Sequence, residues 1–116
     1  MPSPIEDKFA GNTLIEQLCI VGLGMPQPLG LIRLSEFCND MAEDVIKNSL
    51  LESLKKANDE LHRHETIQKL ICISDVWSVE NGMLTPTMKI KRNVIHDTYA
   101  HHYDNWYKQE ETVILL

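Results

Sequence analysis

Leu29-Gly30-Leu31-Ile32-Arg33-Leu34 is the stretch from which the fold can be read. A strand with one wet face alternates apolar and polar residues. This one is apolar almost throughout, which predicts a central strand covered on both sides. Upstream, Leu14 to Val21 reads as a second strand, apolar on both faces where it closes in Leu18-Cys19-Ile20-Val21. Gly22-Leu23-Gly24-Met25-Pro26-Gln27-Pro28 joins the two as a loop. Further upstream, Ser3 to Gly11 predicts a short helix, with Ser3 as cap, Pro4 in its first position and Gly11 as its stop.

Downstream, a long helix is expected from about Asn39 to Leu61, capped by Ser35 or Asn39. Met41, Val45, Ile46, Leu50, Leu54, Ala57 and Leu61 form its apolar stripe. Such a helix spans about 33 Å, enough to cover a small sheet. Ile67 to Ser74 and Val76 to Glu80 follow as strands. Asn81-Gly82 predicts a tight hairpin into Met83-Leu84-Thr85, ended by Pro86. Lys91 to Lys108 reads as a final amphipathic helix with Ile95, Tyr99, His102 or Tyr103, and Trp106 on one side. The tail Val113-Ile114-Leu115-Leu116 has three open fates: an edge strand, a frayed end, or a contact with a neighbour. The order α-β-β-α-β-β-β-α, without internal repeat or linker, predicts an α+β fold. It is a single domain over residues 1–116, with a small three-stranded sheet covered by helices plus a β-hairpin.

Composition removes several function classes. The net charge of 11 − 17 = −6 disfavours a nucleic-acid partner. No apolar run approaches the roughly 20 residues of a transmembrane segment. Met1-Pro2-Ser3-Pro4 leads into charged residues without the basic start and apolar stretch of a signal peptide. Three cysteines at unrelated spacings fit reduced thiols and a cytoplasmic location. Cys19 and Cys72 fall in buried strands. Cys38 lies near a helix start, where a thiol pKa is lowered, but no partner base accompanies it. His62 with His64, and His101 with His102, are spaced to diverge on a helix; with His96 they give no metal site. Asp40, Glu43 and Asp44 suit the first turn of a helix through its dipole. Tyr99, Tyr103, Trp106 and Tyr107, at helical spacing, suit core packing or a domain contact better than stacking on adenine.

The chemistry concentrates in Trp77-Ser78-Val79-Glu80-Asn81-Gly82-Met83-Leu84-Thr85-Pro86-Thr87-Met88-Lys89-Ile90-Lys91-Arg92. A hairpin presents a Thr-Pro-Thr loop, then a lysine, then a basic helix start. Basic residues at a helix N-terminus oppose the macrodipole, so either an anionic ligand or solvent must favour them there.

From Val79 to Arg92 this stretch resembles the C-terminal signature of the long-chain acyl-CoA synthetases, within the wider acyl-adenylate-forming, AMP-binding enzymes. Pro2 to Asp7 resembles the end of the segment after that family's hinge. Leu14 to Gly22 with Gly24 to Pro28 resembles its first strand and loop. The resemblance implies a small mobile C-terminal domain of a long-chain fatty acid–CoA ligase. It would turn over a large N-terminal adenylate-forming domain that holds the ATP and acyl sites. Lys89 then occupies the position of the lysine that serves acyl-adenylate formation. Thr87, Lys91 and Arg92 flank it as substrate-binding candidates, the last two by tuning the local potential or meeting the other domain. Met88 stands where the wider family often has Gly; the long-chain branch carries a bulky apolar residue there. Fatty acid, coenzyme A and ATP with Mg2+ would be substrates of the full-length enzyme, cytoplasmic or peripheral to a membrane, and none is expected bound to this chain. The Ser/Thr/Gly-rich phosphate loop is missing, as are the hinge and the Gly-rich turn that would precede Pro2. The chain is therefore expected to be an excised domain or a gene fragment, inactive alone. The alternative is a stand-alone α+β binding or dimerisation module.

Overall fold

The computed structural model of the protein describes residue 9 and residues 11–21, 28–60, 66–87 and 89–116. Most of the expected Ser3–Gly11 helix, residues 22–27 of the first loop, Leu61, His62, His64 and Met88 lie outside the described residues.

Leu29–Leu34 (β2) does sit inside a sheet, paired antiparallel with Ile15–Val21 (β1) and parallel with Lys69–Cys72 (β3). The α+β class stands, with one strand more than the three expected. Val113–Leu115 (β4) joins β3 in parallel, giving the order β1-β2-β3-β4. The apolar tail thus takes its edge-strand fate. Val113 and Ile114 point to opposite faces and both are buried, which is what a short strand offers a sheet covered on two sides.

The two faces separate residue by residue. Ile20, Ile32, Leu70, Cys72 and Val113 pack on one side with Ile46, Leu50, Leu54 and Ala57 of Glu43–Asp59 (α1). Cys19, Val21, Leu29, Leu31, Ile71 and Ile114 pack on the other with Ile95 and Tyr99 of Arg92–Tyr99 (α2) and with Tyr103 and Trp106 of Tyr103–Lys108 (α3). Gly30 lies where a side chain has no room: a Cβ there would stand 2.7 Å from Cδ2 of Leu70.

Three local departures have identifiable causes. The helix expected from Asn39 begins at Glu43, after a separate 3-10 turn over Glu36–Asp40. That turn is held by the start of β1: the Ser35 amide bonds the Leu14 carbonyl, the Ser35 hydroxyl bonds the Thr13 carbonyl, and the Cys38 thiol reaches Leu14. Ser35 therefore flanks the 3-10 turn instead of capping α1. β3 starts two residues late because Asn58 takes both the N–H and the C=O of Ile67 with its side-chain amide. The final helix is interrupted at Ala100–His102, a 3-10 turn between α2 and α3.

Candidate functional site

The site grows out of the end of β3. Ile73 still donates to the Ile32 carbonyl, but Ser74, Asp75 and Val76 are exposed and Trp77 drops back into the core at 3% exposure. A short polar chain fixes that descent. The Trp77 indole N–H donates to the Tyr99 hydroxyl at 3.3 Å, which donates to Oδ2 of Asp75 at 2.9 Å.

Asn81 then organises the turn. Its side-chain oxygen accepts the amides of Ser78 and Met83, and its amide nitrogen donates to the Val76 carbonyl. Gly82 supplies a φ of 82°, a conformation that side chains disfavour. The turn predicted at Asn81-Gly82 is present, but the strand predicted over Val76–Glu80 is not. The Asn81 side chain has taken the backbone groups that a ladder would need, and Val76, Val79 and Glu80 remain exposed.

An isolated antiparallel bridge links Leu84 to Ile90, beyond the turn. Lys91 donates to the Met83 carbonyl at 2.8 Å, and Thr85 donates to the Lys89 carbonyl at 2.8 Å. Met83 and Leu84 are buried against Trp77, Ile95 and Tyr99, so the base of this loop belongs to the core. Within the loop, the Thr85 hydroxyl accepts the Lys89 amide at 3.0 Å and lies 3.0 Å from the Thr87 hydroxyl. Lys89 is exposed, and among the described residues its ammonium has no hydrogen-bond or ion-pair partner.

The candidates named from the sequence divide accordingly. Thr87 and Lys89 share the loop. Lys91 is half-buried at the start of α2, whose first turn carries no acidic side chain. Arg92 turns to the sheet, its Nε donating to the Ile20 carbonyl at 3.1 Å and tying α2 to the end of β1. Thr85 was passed over. The signal for it is its place before Pro86: the next residue offers no N–H, so the hydroxyl is left to accept a more distant one.

The three thiols lie inside the fold. Cys19, Cys38 and Cys72 are buried, and none is in a disulfide. The expectation of a lowered Cys38 pKa is overturned: burial pushes that thiol up, outweighing the Ser35 backbone hydrogen bond. Cys38 belongs to the short 3-10 turn packed on β1, not to the start of α1. Burial likewise takes Cys72 up to about 12. No group of three His, Cys, Asp or Glu among the described residues is arranged to hold a metal ion. Tyr99, Tyr103 and Trp106 are core residues, with Tyr107 packed against them. A groove of about 920 Å³ opens beside the ends of β2, β3 and β4, lined by Arg33, Cys38, Cys72 and Trp77 together with Glu16, Glu36 and Glu43. It includes none of the loop residues, and its carboxylates would repel a polyphosphate.

An exposed lysine thus stands on a core-anchored loop of a three-layer α+β domain. The family model described as AMP-binding enzyme C-terminal domain matches residues 1–111. The chain belongs to this family. As an AMP-binding enzyme C-terminal domain it is similar to a Drosophila melanogaster protein, long-chain-fatty-acid–CoA ligase heimdall, at 28% identity over 90% of the chain and 15% of the relative. It is also similar to long-chain-fatty-acid–CoA ligase FadD15 of Mycobacterium tuberculosis, at 26% identity over 94% of the chain and 21% of the relative. The chain therefore spans about a seventh to a fifth of these relatives. In fold, the C-terminal domain matches part of the A-PCP didomain of carboxylic acid reductase from Segniliparus rugosus, solved in complex with AMP. That match has a TM-score of 0.72 at 22% identity, over 90% of the chain and 15% of the didomain. The A domain of the Mycobacterium chelonae carboxylate reductase gives 0.69 at 22% identity, over 92% of the chain and 18% of that chain.

Proposed function

We propose that residues 1–116 form the mobile C-terminal domain of an ATP-dependent long-chain fatty acid–CoA ligase, which delivers Lys89 for acyl-adenylate formation. The observation that carries this reading is the exposed Lys89 ammonium, without a partner among the described residues, on a loop whose base is buried. Family membership and the similarity to long-chain-fatty-acid–CoA ligases support the substrate class.

When a carboxylate attacks the α-phosphate of ATP, negative charge gathers on the phosphoryl oxygens and on the bridging oxygen of the leaving pyrophosphate. An ammonium at that position neutralises it without moving a proton. The chemistry needs a group that reaches outward, because ATP, its Mg2+ and the fatty acid are held by the separate N-terminal domain. Lys91 adds positive potential beside Lys89, Thr87 offers a hydroxyl on the same loop, and Arg92 keeps α2 seated on β1. Rotation of the domain then withdraws Lys89 and closes the site for attack by the coenzyme A thiol. The enzyme so described is cytoplasmic or peripheral to a membrane; no helix among the described residues is long and apolar enough to cross one.

The test uses the intact ligase that carries this domain. Lys89→Ala should slow ATP–pyrophosphate exchange with a long-chain fatty acid by about 10²–10³, the scale of one well-placed electrostatic group. Transfer from supplied acyl-adenylate to coenzyme A should persist, and Lys91→Ala should do much less to either step. Equal loss in both half-reactions, or loss in neither, refutes the reading. The 116-residue chain alone should give no exchange.

A further inference from the structure

We propose that Thr85 is a positioning residue for Lys89: its hydroxyl holds the lysine's backbone so that the ammonium is presented in one place. This rests on the reading of Lys89 given above and adds to it a residue that touches no substrate.

The geometry is a two-ended clamp. The Thr85 amide donates to the Lys89 carbonyl at 2.8 Å, and the Lys89 amide donates back to the Thr85 hydroxyl at 3.0 Å. In an ordinary antiparallel pair both bonds would be backbone to backbone. Here the hydroxyl takes the place of the Thr85 carbonyl, so residues 85 and 89 stay paired across a loop of three intervening residues. Two further features make the hydroxyl's position determinate. Pro86 restricts Thr85 to extended backbone. The Leu84–Ile90 bridge and the Lys91-to-Met83 bond fix both strands just below the clamp, with Leu84 at 1% exposure.

Without that hydroxyl the Lys89 backbone is held on one side only. Its amide turns to water, and the long side chain samples a wider arc. Charge stabilisation depends on placing the ammonium against developing charge, and a displacement on the order of 1 Å can cost about 100-fold. The partners of the hydroxyl are the Lys89 amide and the Thr87 hydroxyl, both on its own loop. Its removal should act on the placement of the ammonium and leave the binding of ATP and fatty acid to the separate N-terminal domain. The expected signature is therefore a loss in kcat without a loss in KM.

Two measurements test this together. In the chain itself, amide hydrogen exchange at Lys89, read by NMR, should accelerate on the order of tenfold in Thr85→Val, as expected for one lost hydrogen bond. It should return to the parent rate in Thr85→Ser. In the intact ligase, Thr85→Val should lower kcat for adenylation by about 10–100-fold. KM for ATP and fatty acid, and transfer from supplied acyl-adenylate, should hold, and Thr85→Ser should recover most of the rate. Loss in Lys89→Ala without loss in Thr85→Val overturns the positioning role and leaves the reading of Lys89 standing. No loss in Lys89→Ala overturns the reading itself. Equal loss in Thr85→Val and Thr85→Ser, or a loss shared by both half-reactions, shows that the loop needs the whole threonine for its fold and overturns the proposal.

Discussion

Lys69→Met should destabilise the domain through its last strand. Lys69 is 3% exposed, and its ammonium donates to the carbonyls of Gln109 and Glu111. Gln109 is the residue at which α3 ends, so the ammonium meets the negative end of a helix as well as the two carbonyls. Methionine keeps the apolar stem and removes the charge. Each carbonyl then loses a charged donor, and each unsatisfied group costs about 1–3 kcal/mol when buried. Two effects reduce the total. The ammonium no longer has to be desolvated, and Gln109 and Glu111 are exposed residues whose carbonyls water can approach. A net loss of about 1–3 kcal/mol is the expectation. With an unfolding entropy of about 2.1 cal/mol/K per residue, a chain of 116 residues shifts by about 4 °C per kcal/mol, so Tm should fall by about 4–12 °C. The readout that separates this from a general loss is hydrogen exchange in β4. The Leu70 amide bonded to Thr112 and the Leu116 amide bonded to Cys72 should open first. An unchanged Tm with unchanged protection of these two amides would refute the argument that Lys69 fastens the strand.

Two further predictions concern the core. The Cys72 thiol, raised to about 12 by burial from an ordinary 9.0, holds its proton in the folded state where the unfolded chain would release it. Its contribution to stability is therefore complete below about pH 9 and declines as pH rises from there towards 12; urea melts across that window should show it, and Cys72→Ala should flatten the slope. Gly30→Val places carbon against Leu70, Leu18 and Ile20 and should cost about 1–3 kcal/mol in denaturant unfolding; a variant as stable as the parent would mean that this layer is loosely packed.

The apolar run of β2 was enough to foresee a sheet covered on both faces, because burial on two sides forbids the polar alternation of a surface strand. β1 and the face of α1 followed from the same pattern. What the pattern could not supply were places where a single side chain overrides the ladder. Asn58 makes β3 start late, and Asn81 removes the expected strand over Val76–Glu80, each by taking backbone bonds that periodicity assigns to a neighbouring strand. The fourth strand was undecidable because three apolar residues serve an edge strand or a loose end equally well. Its anchor, Lys69, reads in sequence as an ordinary charged residue. In the loop, the motif singled out Lys89, which the structure places exposed to solvent. It did not single out Thr85, since a threonine hydroxyl bonding an amide four residues on leaves no periodic trace.

The charge of the chain bears on the same site. A net charge of −6 argues against a polyanionic partner for the molecule as a whole. Yet interactions between exposed charges fade over about 8 Å at physiological salt, so a phosphate near the loop responds to the loop's own groups. Between Ile73 and Ile90 the acidic residues are Asp75 and Glu80. Asp75 already accepts the Tyr99 hydroxyl, and Glu80 lies across the Asn81–Gly82 turn from the buried Met83 and Leu84 that carry the lysine arm. Thr85 to Arg92 contains three cations and no acid. One of them, Arg92, is tied to β1, which leaves Lys89 and Lys91 to set the field where the loop faces outward. The cluster also sits away from the acid-lined groove beside β2, β3 and β4. An anion drawn to this loop thus meets Lys89 and Lys91 above the buried Met83 and Leu84. On the reading proposed above, the walls around that anion belong to the separate N-terminal domain, and this domain's part is to hold the lysine where the Leu84–Ile90 bridge and the Thr85 hydroxyl fix its backbone.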